Sequence, residues 1–150
     1  MIEGTLVLIF LMALIFLIID LSWAQFAKAT LQNAVRAGVR YAVTSQTGTN
    51  AEGQSIGQVA SIQQVVQGQS MGFISDPSTV SVTFYTPGGG VPAACPVGTN
   101  GCNAGGQLVV VSIPNYTVNA FFPLLRSSTP VSFTVSAGDL IEPTTTPATP

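Results

Sequence analysis

Residues 5–19 read TLVLIFLMALIFLII, fifteen positions without a charge and almost all apolar. A single acid, Glu3, stands ahead of them. The chain continues without a proline through IDLSWAQFAKATLQNAVRAGVRYAV, residues 19–43. One helix is therefore predicted over the first 43 residues, with a lipid-compatible first half and a water-compatible second half. Such a helix followed by a small domain is the layout of a membrane-anchored subunit. It is not that of a free enzyme.

Three readings of this helix compete. The first is a retained transmembrane anchor. Residues 4–19 alone rise about 24 Å, short of a hydrocarbon core of about 30 Å. Extending to Ala27 closes the gap if Asp20 lies near an interface. A dozen Leu, Ile, Phe and Val residues contribute roughly −0.3 to −0.6 kcal/mol each, which outweighs the roughly +3 kcal/mol of one aspartate. The second reading is a cleaved secretory signal, with Ser22 and Ala24 as small residues ahead of a cut before Gln25. Against it, the segment before the apolar run is acidic instead of basic. The third is a buried core helix. It would need more protein around it than the roughly 100 remaining residues supply. Lys28, Arg36 and Arg40 all follow the apolar run, whereas basic residues flanking a span favour the cytoplasmic side. A basic leader upstream of Met1 is the expectation that reconciles these charges with a domain outside the cytoplasm.

The rest of the composition narrows the function. Charged residues make up 7 % of the chain and the net charge is −2. With no basic run, nucleic acid is not an expected partner. The chain has no histidine, so a nucleophile–base pair of the usual kind is missing. Asp76, Asp139 and Glu142 lack metal-ligand spacing. Gly88-Gly89-Gly90 lacks the Lys-Ser/Thr of a phosphate loop. Asn115-Tyr116-Thr117 matches a glycosylation sequon, a triplet common by chance. No catalytic residue, cofactor, metal or small-molecule substrate is assigned. Cys95 and Cys102 are an even pair at short range, and in an exported chain such a pair forms a disulfide. A loop of that size gives about 2 to 3 kcal/mol on chain-entropy grounds. The alternative, a metal pair, lacks the further ligands that zinc requires.

The soluble part reads as α+β. Residues 44–54 have turn composition. Ile56, Val59, Ile62 and Val66 recur at helical steps over residues 55–67, with Ser55 as cap and Gly68 as stop. Strand signals lie at residues 79–85, 107–113 and 131–136. A long loop, residues 86–106, holds the Cys pair, and AFFPLLR at residues 120–126 reads as a turn or short helix. The economical arrangement is the N-terminal helix packed on a three-stranded antiparallel sheet with a disulfide loop. The division is an N-terminal helix at 1–43, an extracytoplasmic domain at 44–141 and a disordered tail at 142–150.

An acid heading an apolar helix, an Ile-Ile-Asp end to the apolar run, and Asn33-Ala34-Val35-Arg36-Ala37-Gly38-Val39-Arg40-Tyr41-Ala42 follow one another at fixed spacing. This segment resembles the TadE/TadG-like pseudopilins of tight-adherence pilus systems. Their pattern Asn-Ala-Ala-Arg-Glu-Gly-Ala-Arg-Tyr-Ala is matched at seven of ten positions, with Val35, Ala37 and Val39 differing. The resemblance covers about 40 residues strongly. It implies a pilin-like precursor cut by a prepilin peptidase and held in the inner membrane by one span, with the domain on the extracytoplasmic side. Its partners would be other pilin-like subunits, the pilus assembly platform and membrane lipid, and its role structural, in pilus assembly and surface adhesion. The family's cleavage glycine lies five residues before the glutamate, where this sequence has only two residues, so a leader upstream is expected.

The resemblance also implies roles for Glu3, Asp20, Asn33, Arg36, Gly38, Arg40 and Tyr41 in assembly. Glu3 would pair with the N-terminal amine of a neighbouring subunit. The alternative is an interfacial acid that favours the helix start. Arg36 and Arg40 share a helix face and make either subunit contacts or a solvated basic surface, while Leu31, Val35, Val39 and Ala42 line a neighbouring stripe that can cover the domain. Ala34, Ala37 and Gly38 are small enough for close helix approach. The alternative from another class is a secreted or anchored binding module, an adhesin, with a cleaved signal peptide.

Overall fold

The computed structural model describes residues 2–50, 52–86, 93–95, 102–119 and 131–143, with Ile2, Glu3 and Thr5 described by their backbone. Segment 120–126, the Gly88–Gly90 run and the tail from residue 144 fall outside the described residues.

Helix α1 spans Ile2–Val43 without interruption. Its first half projects from the protein. Its second half is part of the core, with Ala27, Leu31, Ala34, Val35, Val39 and Ala42 buried. Their spacing of three and four residues draws one stripe along the helix, and that stripe packs on strands and on a second helix. Leu31, Val35, Val39 and Ala42, the stripe legible in the sequence, are the residues that cover the domain.

Helix α2, Gln58–Gln69, runs back along α1. At its start, the side-chain amide of Gln58 donates to the carbonyl of Ala42 (3.1 Å) and its oxygen accepts from Asn103 Nδ2 (2.8 Å). Gln58 and Asn103 are both buried, so these bonds satisfy groups that water cannot reach. Ser55 does not cap this helix. It forms an isolated bridge with Thr49, and Gly57 stands at the cap position without a side-chain bond. Ser61 takes over the local polar work: its hydroxyl donates to Gly57 O and accepts from Gly48 N–H. Gly68 does not stop the helix either. The end falls one residue later, where the hydroxyl of Ser70 donates to Gln67 O and accepts from Ile74 N–H.

The sheet has four antiparallel strands, one more than expected, in the order β2-β1-β3-β4. They are β1 Ser81–Thr86, β2 Ala93–Cys95, β3 Leu108–Val118 and β4 Val131–Leu140. Strand β2 pairs Phe84 with Cys95 at the free edge of β1. Both long strands outrun their sequence signals. Strand β3 continues past Pro114 through an irregularity between Ile113 and Tyr116, where Asn115 takes a left-handed φ of 50°. Pairing of β1 to β3 has already ended at Ser112, so the missing proline N–H has no partner strand on that side. Strand β4 extends through Ala137–Leu140 because residues 108–111 of β3 hold it in register, overriding the poor strand propensity of Gly138 and Asp139.

The two helices lie together against the sheet, α1 over β3 and β4 and α2 next to α1. Phe84, Leu31, Ile62, Ile113 and Ile141 are the bulkiest apolar side chains of the shared core. Cys95 and Cys102 are joined in a disulfide, as expected, with Cα atoms 5.7 Å apart. It ties the end of β2 to the residue preceding Asn103, and through Asn103 and Gln58 to the end of α1.

Candidate anchoring and assembly site

Along the projecting half of α1, apolar side chains face outward on every side. Leu6, Val7, Phe10 and Leu21 are all more than 60 % exposed, a pattern that water would disfavour over so long a run. Its most apolar window has a mean hydropathy of 2.7 and is 6 % buried. From Gly4 to Phe26 the helix rises about 35 Å, enough to cross a hydrocarbon core of about 30 Å. This one apolar helix is compatible with a single-pass membrane anchor.

Asp20 departs from its neighbours. It is 7 % exposed, whereas Ile19 and Leu21 on either side are 46 % and 62 % exposed. Seven residues separate Asp20 from Ala27, two helical turns, so it extends the buried stripe toward the N-terminus. Asp20 is thus covered within the chain while its neighbours on the helix are open, as is expected of an ionisable group beside a helix able to span a membrane.

The remaining residues singled out in the sequence divide by face. Asn33, Arg36 and Arg40 recur at steps of three and four and are exposed. Asn33 and Arg36 border a groove of about 540 Å3 between α1 and the end of α2, together with Phe26, Gln69 and Met71. Gly38 lies on the opposite, buried face. A Cβ placed there would come within 2.4 Å of Val66 Cγ2, so the close helix approach that Gly38 permits is to α2 of the same chain. Tyr41 is half-buried, its hydroxyl near Gly48 in the loop that follows α1. Glu3 lies in the first turn of α1. The fold therefore brings Asn33, Arg36 and Arg40 together and separates them from Gly38, Tyr41, Asp20 and Glu3.

At the junction of the two halves of α1 sits a cluster the sequence did not reveal. Trp23 and Phe26 contact Phe73, with ring centroids 5.6 and 6.0 Å away, and lie 5.8 Å from each other. Trp23, the only tryptophan, stands just past the apolar run and could have been read as an interfacial anchor. Phe73 carries no such local signal. It reaches the cluster because α2 folds back along α1. The Tyr116 hydroxyl donates to Phe73 O (3.2 Å) and fastens this turn to β3. Burial pushes the Tyr116 phenol above its usual pKa.

Among the described residues, no three His, Cys, Asp or Glu side chains gather as a metal site. Asp76 is held below the usual carboxylate range by the Ser78 N–H bonded to it (2.9 Å), at a turn that this bond also caps.

A helix apolar on all faces for one half and packed into its own domain for the other is thus the defining feature of the molecule. Residues 1–40 match the family of TadE-like proteins. This TadE-like segment coincides with the stretch whose residues resembled TadE/TadG-like pseudopilins, and it ends three residues before α1 does. Helix α2 and the whole sheet lie beyond it. Comparison with curated proteins and with solved structures gave no match.

Proposed function

We propose that the chain is a membrane-anchored, pilin-like structural subunit that contributes to assembly of a tight-adherence-type pilus and so to surface adhesion. The similarity of residues 1–40 to TadE-like proteins points to a pilus-related component. The observation that carries the finer reading is the division of that same helix. Its first half is apolar on its outer surface, and its second half is buried along one face in a disulfide-bonded domain. The anchor lies in the inner membrane and the domain on the extracytoplasmic side, where a disulfide persists. Other pilin-like subunits and the assembly platform are its partners, and a prepilin peptidase removes a leader. No catalytic step is assigned to it. The exposed row Asn33, Arg36 and Arg40 is the face offered to neighbours, and Glu3 offers its carboxylate to a neighbouring N-terminal amine, offsetting the cost of burying both charges.

Glu3→Ala tests this reading. The variant is expected to insert in the membrane at the wild-type level and to lose most surface piliation, measured by filament recovery after shearing. Wild-type filament yield would remove Glu3 from the mechanism.

A further inference from the structure

Met71 is the most exposed large apolar side chain among the described residues, at 76 %. It is not on a loose tip. The turn that carries it is closed by Phe73 N–H to Ser70 O (3.1 Å), by Ile74 N–H to Ser70 Oγ, and by the Tyr116 hydroxyl to Phe73 O. Met71 and Gly72 are successive left-handed residues, with φ of 53° and 85°, which turn the methionine outward. A backbone conformation that most side chains resist is thus held by several bonds in order to present a methionine to the surroundings. In water this arrangement gains nothing.

Its position supplies the reason. Helix α2 starts beside Ala42, at the far end of α1, and returns to leave Gln69 and Met71 bordering the same groove as Phe26. Phe73 joins Trp23 and Phe26 in the three-ring cluster. The three rings meet near the level where the apolar half of α1 ends, with Phe73 half-buried, and Met71 adjoins them through the groove it shares with Phe26, which continues up α1 past Thr30 to Asn33 and Arg36. Residues 53–75, which include all of α2 and this turn, carry no charge, and the first charge past the rings on α1 is Lys28, exposed two residues beyond Phe26. Tryptophan and phenylalanine beside a span, an adaptable thioether and a lysine just above match the layering of a membrane interface.

We infer that Met71 and Phe73, with Trp23 and Phe26, form an apolar foot by which the domain dips into the interfacial layer of the bilayer. The foot rests on α1 spanning that bilayer. It adds a second point of lipid contact, 28 residues beyond the end of α1, which fixes the tilt and rotation of the domain on the membrane. Lipid is the occupant because the surface is continuous with the outward-facing apolar residues of α1, which the bilayer surrounds.

Because Trp23 is the only tryptophan, the full chain reports on both contacts in vesicles of phosphatidylcholine and phosphatidylglycerol brominated either near the headgroup or near the acyl terminus. In the wild type, Trp23 emission is quenched by shallow bromines. In the Trp23→Phe, Met71→Trp variant, the indole at position 71 is also quenched by shallow bromines and little by deep ones. The exposure of Met71 makes this exchange compatible with the fold. Quenching of Trp23 without quenching at position 71 would overturn the foot and leave the anchor standing. A blue-shifted but unquenched indole at position 71 would mean that a second copy of the chain covers the surface, and would also overturn it. Loss of quenching at both positions would instead strike the anchor itself, and the foot with it.

Discussion

Leu11→Arg combined with Ile15→Arg abolishes membrane insertion while leaving the soluble domain folded. The two positions lie one helical turn apart on the projecting half of α1 and are 52 % and 40 % exposed, so neither touches the core. Each exchange removes an apolar contribution of roughly 0.3 to 0.6 kcal/mol and adds an arginine costing roughly 2.5 to 3.5. The pair amounts to about 6 to 8 kcal/mol, which matches or exceeds the whole apolar gain of the dozen residues in the run, roughly 4 to 7 kcal/mol. Alkaline carbonate extraction reads the outcome: the wild type stays with the membrane pellet and the double variant is released. A double variant that resists extraction would show that residues 5–19 do not carry the anchoring.

Phe84→Ala strongly destabilises the domain without affecting the anchor. Phe84 is the largest fully buried side chain and lies in β1, paired with Val109 on one side and with disulfide-bonded Cys95 on the other. Truncating such a ring costs about 3 to 5 kcal/mol, a large share of the roughly 5 to 15 kcal/mol that domains possess. For a domain of about 100 residues the midpoint of thermal unfolding falls by roughly 15 to 30 °C. Circular dichroism of the full chain in detergent micelles measures it. A shift of only a few degrees would mean that the core is not organised around β1.

The contrast between these experiments follows from how α1 is built, and that much of the fold was readable from its residues. Continuous apolarity identified the projecting half, and the three-and-four spacing of Leu31, Val35, Val39 and Ala42 identified the packed half. The strand signals in residues 79–85 and 107–113 located β1 and β3. Elsewhere, non-local contacts decided. Strand β2 is three residues, Ala93–Cys95, too short for any periodicity, and exists because the edge of β1 is there to pair with. The second half of β4 reads as loop and is made strand by the valines of β3. Ser55 had the side chain of a cap, but the bridge to Thr49 claimed its backbone and Ser61 supplied the hydroxyl.

The candidate site divides in the same way. The row Asn33, Arg36 and Arg40 needed only helical geometry to be recognised as one face. Gly38 is two residues from both Arg36 and Arg40, a little over half a turn, yet which partner its missing side chain admits depended on where α2 would lie. Asp20 reads as a charge near an interface. Its burial follows from its two-turn spacing to Ala27, a relation visible only once the packed stripe is known to extend so far down the helix. Phe73 is 47 residues from Phe26 in sequence, and only the antiparallel return of α2 brings the two together.

The most direct test of the central claim is the intact mass of the native protein recovered from membranes and from sheared surface material. An anchored, pilin-like subunit keeps α1 whole, so the mass must include residues 4–27 in both fractions, with or without residues upstream of Met1 or an N-terminal modification. A mass that begins at Gln25 would show that the apolar half is removed as a signal peptide, and the chain would then be a secreted module without anchor or filament helix.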